Sequence, residues 1–175
     1  MTLVVLLGGA RSGKSARAVK LAEAAAAPVV FIATGEGRDD EMAARIDEHR
    51  RERPADWVTV EEPLELAGAV RALAPDAFAI VDCLTLWVSN ALERGDGEEA
   101  IVAEATTVAE TLAARDAPAV VISNEVGLGI VPANELARRF RDVLGRVNAT
   151  AAGCADRALL VVAGRTLALG RGELT

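Results

Sequence analysis

The run Gly8-Gly9-Ala10-Arg11-Ser12-Gly13-Lys14-Ser15 fits the pattern G-x-x-x-x-G-K-[ST]. It follows the apolar stretch Leu3–Leu7 and opens a helical stretch, the context that gives the pattern its meaning. Glycines allow a turn tight enough for several backbone N–H groups to converge on one phosphate. The start of the helix adds the positive end of its dipole. In such a turn Lys14 reaches the β- and γ-phosphates of a nucleoside triphosphate, and the Ser15 hydroxyl is a ligand for Mg2+.

A carboxylate at the end of a second apolar strand would complete a nucleotide site, and Ala79-Ile80-Val81-Asp82 supplies one. Asp82 there either holds Mg2+ through water or contacts the nucleotide. The competing structural role is to cap the helix that starts near Leu84, since Asp is a favoured N-cap. The single histidine, His49, lies in a segment that begins acidic at Asp39-Asp40-Glu41 and ends basic at Arg50-Arg51-Glu52-Arg53, the polarity a helix dipole prefers. Met42, Ile46, His49 and Arg53 share one face at helical spacing. A neutral imidazole is a competent nucleophile towards phosphorus, and arginines beside it would neutralise the phosphates it attacks. On residue types alone, a half-buried helix histidine on an arginine-bearing face is the better account of the segment.

The elements that must position these groups read as alternating strands and helices. Apolar runs at Leu3–Leu7, Val29–Thr34, Trp57–Glu61, Phe78–Asp82, Ala119–Ser123 and Ala158–Ala163 predict strands, and their continuity predicts cover on both faces. Helical stretches fall at Gly13–Ala26, Asp40–Arg53, Leu64–Leu73, Leu84–Arg94, Glu98–Arg115 and Asn134–Ala155. This order predicts an α/β, P-loop NTPase-like fold: a mostly parallel sheet with helices on both faces, in one domain over 1–175. Ligands of such sheets sit at the carboxyl ends of the strands, which puts Gly8, Thr34, Glu61, Asp82, and Asn124 with Glu125 at the site.

Composition narrows the function classes. The chain has 175 residues, is 51% hydrophobic and carries a net charge of −7. Hydrophobicity that high excludes disorder. Net acidity and 3% aromatic content argue against nucleic-acid partners. No apolar run approaches the roughly 20 residues of a membrane span. Cys83 and Cys154 lack metal-ligand spacing and read as buried thiols of a reducing cytoplasm.

Taken together, Gly8–Ser15, Ile32-Ala33-Thr34, Asp39–Met42 with Arg45-Ile46 and His49-Arg50, Asn124–Gly127 with Gly129–Pro132, and Phe140-Arg141-Asp142 with Gly145 and Asn148 resemble the bifunctional adenosylcobinamide kinase / adenosylcobinamide-phosphate guanylyltransferase family of cobalamin biosynthesis. The similarity covers nearly the whole chain. It implies phosphorylation of adenosylcobinamide by ATP or GTP. It also implies transfer of GMP from GTP to adenosylcobinamide phosphate through a guanylyl-histidine, which gives adenosylcobinamide-GDP and pyrophosphate. His49 matches the nucleophile. The resemblance further implies nucleotide contacts at Gly8–Ser15, at Ala33, Thr34 and Gly35, at Arg50, Arg51, Glu52 and Arg53, and at Glu61 and Asp82. It leaves open which carboxylate reads guanine. It implies Mg2+ at Ser15 and Asp82, a cytoplasmic enzyme, and a homo-oligomer, a trimer in the family. The loop Asn124–Pro132 either closes over substrate or packs at a subunit interface. Two other readings of the residues are a P-loop kinase that carries out phosphoryl transfer alone and a P-loop switch or ATPase without a metabolite substrate.

Overall fold

The computed structural model describes residues 3–51 and 53–171. Seven strands form one sheet: β1 (Leu3–Gly8), β2 (Val29–Ala33), β3 (Val58–Glu61), β4 (Phe78–Asp82), β5 (Ala119–Asn124), β6 (Arg157–Val162) and β7 (Arg165–Leu169). The helices are α1 (Lys14–Glu23), α2 (Asp40–Arg51), α3 (Leu66–Arg71), α4 (Leu84–Arg94), α5 (Glu98–Ala113) and α6 (Glu135–Cys154). The sheet order is β3-β2-β4-β5-β1-β6-β7, parallel except for the last pair.

Alternation along the strands divides the core into two layers. Leu3 and Val5 of β1, Val81 of β4 and Val121 of β5 pack with Trp87, Leu112 and Leu144 from α4, α5 and α6. Val4 and Leu6 of β1, Ile80 of β4 and Ile122 of β5 face the other way, onto Ala18 and Ala22 of α1. The alanines at i and i+4 let α1 lie close to the sheet. Glu98 and Glu99 in the first turn of α5 suit its dipole. The Asn134 side chain caps α6 by accepting from the Ala137 N–H at 2.7 Å.

The seventh strand was not expected from the sequence. β6 and β7 form a hairpin in which Val162 opposes Arg165, so Ala163 and Gly164 make a two-residue turn with φ of 51° and 74°. Positive φ at both positions suits the right-handed twist of the pair. An Ala in the first position hides the signal that Asn-Gly would have given. The turn also supports the site, because the Gly164 N–H donates to the Ser12 carbonyl at 2.9 Å. The expectation that strands are covered on both faces holds for β1, whose residues are all buried, and fails at the edges, where every residue of β3 and β7 is exposed.

One buried side chain stitches three connections at the carboxyl edge together. Asn90 of α4, 6% exposed, donates through Nδ2 to the carbonyls of Thr34 at 2.8 Å and Pro63 at 3.1 Å. Its Oδ1 accepts from Arg38 at 3.3 Å. Arg38 also pairs with Glu36 and Glu93. The loop leaving β2, the loop leaving β3 and the entry to α2 thus share one carboxamide. Removing it strands two carbonyls, each costing roughly 1–3 kcal/mol. Asn90→Ala should lower stability by about 2–4 kcal/mol and Tm by roughly 4–15 °C in a thermal melt. Asn90→Asp should be no better, because a carboxylate cannot donate to either carbonyl. The neighbouring Ser89, half-buried and bonded to Glu93, is a control: Ser89→Ala should change stability by less than about 0.5 kcal/mol.

Candidate active site

The turn between β1 and α1 has the shape that phosphate binding demands. Gly8 has φ of 151°, and a Cβ there would lie 2.3 Å from the Val161 carbonyl oxygen. Gly13 has φ of 100° and leads directly into α1. Lys14, only 7% exposed, folds back over the turn, and its Nζ donates to the carbonyls of Gly8 at 2.9 Å and Gly9 at 2.7 Å. A cation is thereby held over a loop of backbone N–H groups at a helix start, an arrangement complementary to a polyanion.

Asp82 ends β4 and accepts the Ser15 hydroxyl hydrogen on Oδ2 at 3.1 Å. Burial pushes its carboxyl above the ordinary range, and His49, Ser15, Arg53 and Lys14, in that order, pull it back. The N-cap of α4 is Cys83, whose side chain makes no capping bond, so the capping role for Asp82 is not what the structure builds. Hydroxyl and carboxylate together form a hard oxygen pair that suits Mg2+, which takes one or two protein ligands beside phosphates and water. Among the described residues there is no cluster of three or more acidic, His or Cys side chains that would make an all-protein metal cage.

Both groups open onto a cavity of about 470 Å3. The residues from Ala10 to Ser15 line one wall, and Met42, Ile46, His49 and Arg53 of the α2 segment line another. The shared face predicted for those four residues is thus the face turned to the cavity. Of the other predicted residues, Ala33, Gly35, Arg50, Glu61 and Asp82 line it too, together with Glu48, Cys83, Leu86, Ile122 and Asn124. Burial, and then the nearby Asp82, raises the Cys83 thiol to about 11, so it stays protonated at neutral pH and is a wall rather than a nucleophile. Arg53 stacks its guanidinium 3.6 Å from the centroid of the Phe31 ring. Burial lowers its pKa, Asp82 raises it, and Arg50 lowers it again. Arg50 pairs with Glu61 at the cavity edge.

Some predicted residues stand elsewhere. Gly8 and Gly9 belong to the turn but do not line the cavity, and they present carbonyls to Lys14. The Thr34 side chain is fully buried and turned to the backbone of Cys83, donating to its carbonyl at 2.7 Å and accepting from its N–H at 2.8 Å. Arg51 is exposed, bonds back to the Asp47 carbonyl, and lines a neighbouring cavity with Arg50, Arg53, Trp57 and Thr59. Glu52 lies outside the described residues. Leu86 and Asn90 escaped the sequence reading. Leu86 looked like one more apolar helix residue. Asn90 shares the run Leu84–Leu92 with the polar residues Thr85 and Ser89, and nothing local marks it as a buried hydrogen-bond hub.

Comparison with known proteins agrees with this geometry. The model of the cobinamide kinase / cobinamide phosphate guanyltransferase family matches residues 4–169. The bifunctional adenosylcobalamin biosynthesis protein CobP of Pseudomonas aeruginosa is 42% identical over 170 residues, covering 97% of each chain. The bifunctional adenosylcobalamin biosynthesis proteins CobU of Salmonella typhimurium and Escherichia coli are 42% and 40% identical over 175 residues, covering 93% of this chain and 96% of theirs. Among solved structures, an ATPase of a bacterial type III secretion system superposes with a TM-score of 0.53 at 12% identity. That match covers 91% of this chain and 51% of the ATPase, and it is a likeness of fold. A family match over nearly the whole length, joined to a phosphate-binding turn that opens onto the histidine-bearing helix, shows that this chain belongs to the cobinamide kinase / cobinamide phosphate guanyltransferase family of bifunctional transferases.

Proposed function

We propose that this cavity carries out both transfers, with His49 as the covalent carrier of GMP between GTP and adenosylcobinamide phosphate. One observation carries the reading: the imidazole of His49 and the phosphate-binding turn line the same cavity. In the first half-reaction an unprotonated imidazole nitrogen attacks the α-phosphorus of GTP. An N–P bond forms, the bond to the bridging oxygen breaks, and pyrophosphate leaves with that electron pair. The backbone N–H groups of the turn and Lys14 face the charge that grows on the leaving group. In the second half-reaction a phosphate oxygen of adenosylcobinamide phosphate attacks the same phosphorus and displaces the imidazole. Splitting the transfer in two spares the site from holding two bulky anions in line at once. Arg50 and Arg53 supply positive charge beside the carrier.

Phosphorylation of the adenosylcobinamide hydroxyl by ATP or GTP needs no protein nucleophile, only positioning and charge neutralisation. Mg2+ held by Ser15 and Asp82 would neutralise phosphate charge in either step. Asp82 is occupied with Ser15 on the cavity floor, whereas Glu61 stands exposed at the edge. We therefore assign metal binding to Asp82 and reading of the guanine N–H edge to Glu61. Nucleotide substrates place the reaction in the cytoplasm. The loop after β5 exposes Leu128 at 84% and Ile130 at 97%, apolar surface that fits a homo-oligomer, a trimer on the family pattern.

Incubation with GTP and a divalent cation should add one GMP to the intact protein mass, and the adduct should be acid-labile. His49→Asn should abolish the adduct and lower guanylyl transfer by at least about 10^3-fold while leaving cobinamide phosphorylation within a few-fold. A chain that phosphorylates cobinamide yet never takes up GMP would be the monofunctional kinase instead.

Asp82 gives a pH signature. Its folded-state value lies above the ordinary 3.8, so the unfolded chain loses this proton first. Asp82 therefore costs stability as pH rises from 3.8 through the raised value, and the cost persists above it. Asp82→Asn should raise Tm at neutral pH. A bound cation needs the carboxylate, so Mg2+-nucleotide affinity should weaken as pH falls through the raised value. Asp82→Asn should flatten that dependence relative to the parent chain and weaken the affinity roughly 10–100-fold. Titration calorimetry of both proteins across the acid range checks both statements.

A further inference from the structure

Between the turn that binds phosphate and the strand that ends in Asp82, the sheet inserts a third strand whose last residue the proposed chemistry has not used. β5 pairs with β1 on one side and β4 on the other. Its last residue, Asn124, lies in register with Gly8, and Ile122 lies in register with Asp82. Asn124 is therefore two residues, about 6–7 Å, beyond the level of Asp82 towards the carboxyl edge. Alternation fixes its face. Ile80 and Ile122 both pack on the α1 side, so Asp82 and Asn124, two residues further along each strand, point to that side as well.

The backbone of Asn124 is immobilised from the opposite layer. Its N–H donates to the buried Thr85 hydroxyl at 2.7 Å, and its carbonyl accepts from Asn148 Nδ2 at 3.0 Å. The next N–H, that of Glu125, donates to the Gly8 carbonyl at 3.1 Å, which ties the end of β5 to the start of the turn. The side chain itself is half-buried, lines the cavity, and makes no hydrogen bond among the described residues. A rigidly placed carboxamide thus faces the cavity with two N–H donors to offer.

We infer that the Asn124 carboxamide donates to the terminal phosphate of the bound nucleoside triphosphate and so lets the site tell a triphosphate from a diphosphate. The location follows from Lys14, whose Nζ rests on the carbonyl of Gly8, the register partner of Asn124. The phosphates that Lys14 grips are the ones nearest Asn124. The chemistry follows from the neighbours. Asp82, when ionised, can only accept, and a phosphate oxygen needs a donor. A neutral donor adds a bond at that end without a further charge to desolvate. The inference rests on the reading that the glycine turn holds a triphosphate. It does not require that the acceptor be a cobinamide.

The test compares the affinity of the Mg2+ complexes of GDP and of β,γ-imido-GTP for the parent chain, Asn124→Ala and Asn124→Asp. Asn124→Ala should cut the preference for the triphosphate analogue about tenfold or more. Asn124→Asp, which sets a carboxylate against the phosphate, should cut it further. GDP affinity should stay within about threefold, and Tm should show that both variants are folded. A GDP-to-analogue ratio that is unchanged in both variants, or parallel loss of both ligands, would overturn the assignment. A parent chain that shows the expected ratio but never phosphorylates cobinamide would leave Asn124 in place and remove the substrate instead.

Discussion

Lys14 lies over the turn at residues 8–13 with its ammonium on two backbone carbonyls, at 2.9 and 2.7 Å. A buried cation so placed satisfies its own donors and sets the curvature of the turn. The turn is pinned from three further sides. The Glu125 N–H reaches the Gly8 carbonyl, the Gly164 N–H reaches the Ser12 carbonyl, and Ser15 reaches Asp82. Each tie comes from a different part of the chain: the end of β5, the β6–β7 hairpin and the end of β4. A phosphate-binding turn costs no reorganisation on binding only if it is held in shape beforehand. In this protein the sheet order supplies that rigidity, since β5 and β6 both flank β1.

The opposite wall is built on other terms. α2 carries His49 and borders the cavity, and its polar side chains mostly face water: Asp47, Arg50 and Arg51 are exposed, and Arg50 pairs across to Glu61. Exposed ion pairs of this kind contribute little. The contacts of this wall with buried partners, Asn90 and Phe31, sit at its two ends. Arg38, at the entry, is tied to Asn90, Glu36 and Glu93. Arg53, at the exit, stacks on Phe31. In the proposed mechanism, a rigid phosphate anchor and a lightly held wall bearing His49 would suit a carrier that meets first a nucleotide and then a second, larger phosphate.

The sequence displayed the anchoring wall and half concealed the other. Gly8–Ser15 was legible because phosphate chemistry dictates both residue types and spacing, and continuous apolar runs announced β1, β4 and β5 because both faces of those strands are covered. The face shared by Met42, Ile46, His49 and Arg53 followed from helical period alone. Family resemblance, rather than period, singled out His49, because a lone histidine on a helix has many structural uses. Thr34 misled, since a residue at a strand end can turn inward as readily as outward; here it bonds both backbone atoms of Cys83. β7 was hidden because its turn uses Ala where Asn or Gly would signal, and its exposed faces carry no core pattern. Asn90 was hidden because hydrogen bonds to three distant segments leave no local trace.

The strand order carries one more consequence. With β5 set between β1 and β4, the ends of β1 and β4 stand two strand spacings apart, roughly 10 Å. That width leaves room for a chain of three phosphates to meet different partners along its length. Lys14, Asn124, Ser15, Asp82, His49 and Arg53 all line the cavity. A kinase step acts on the terminal phosphorus and a guanylyl step on the innermost one. A narrower site would present one phosphorus to one set of groups. In the proposed reading, polar groups spread over three strand ends and a helix would give each phosphorus its own neighbours, so that one anchored nucleotide could be opened at either end.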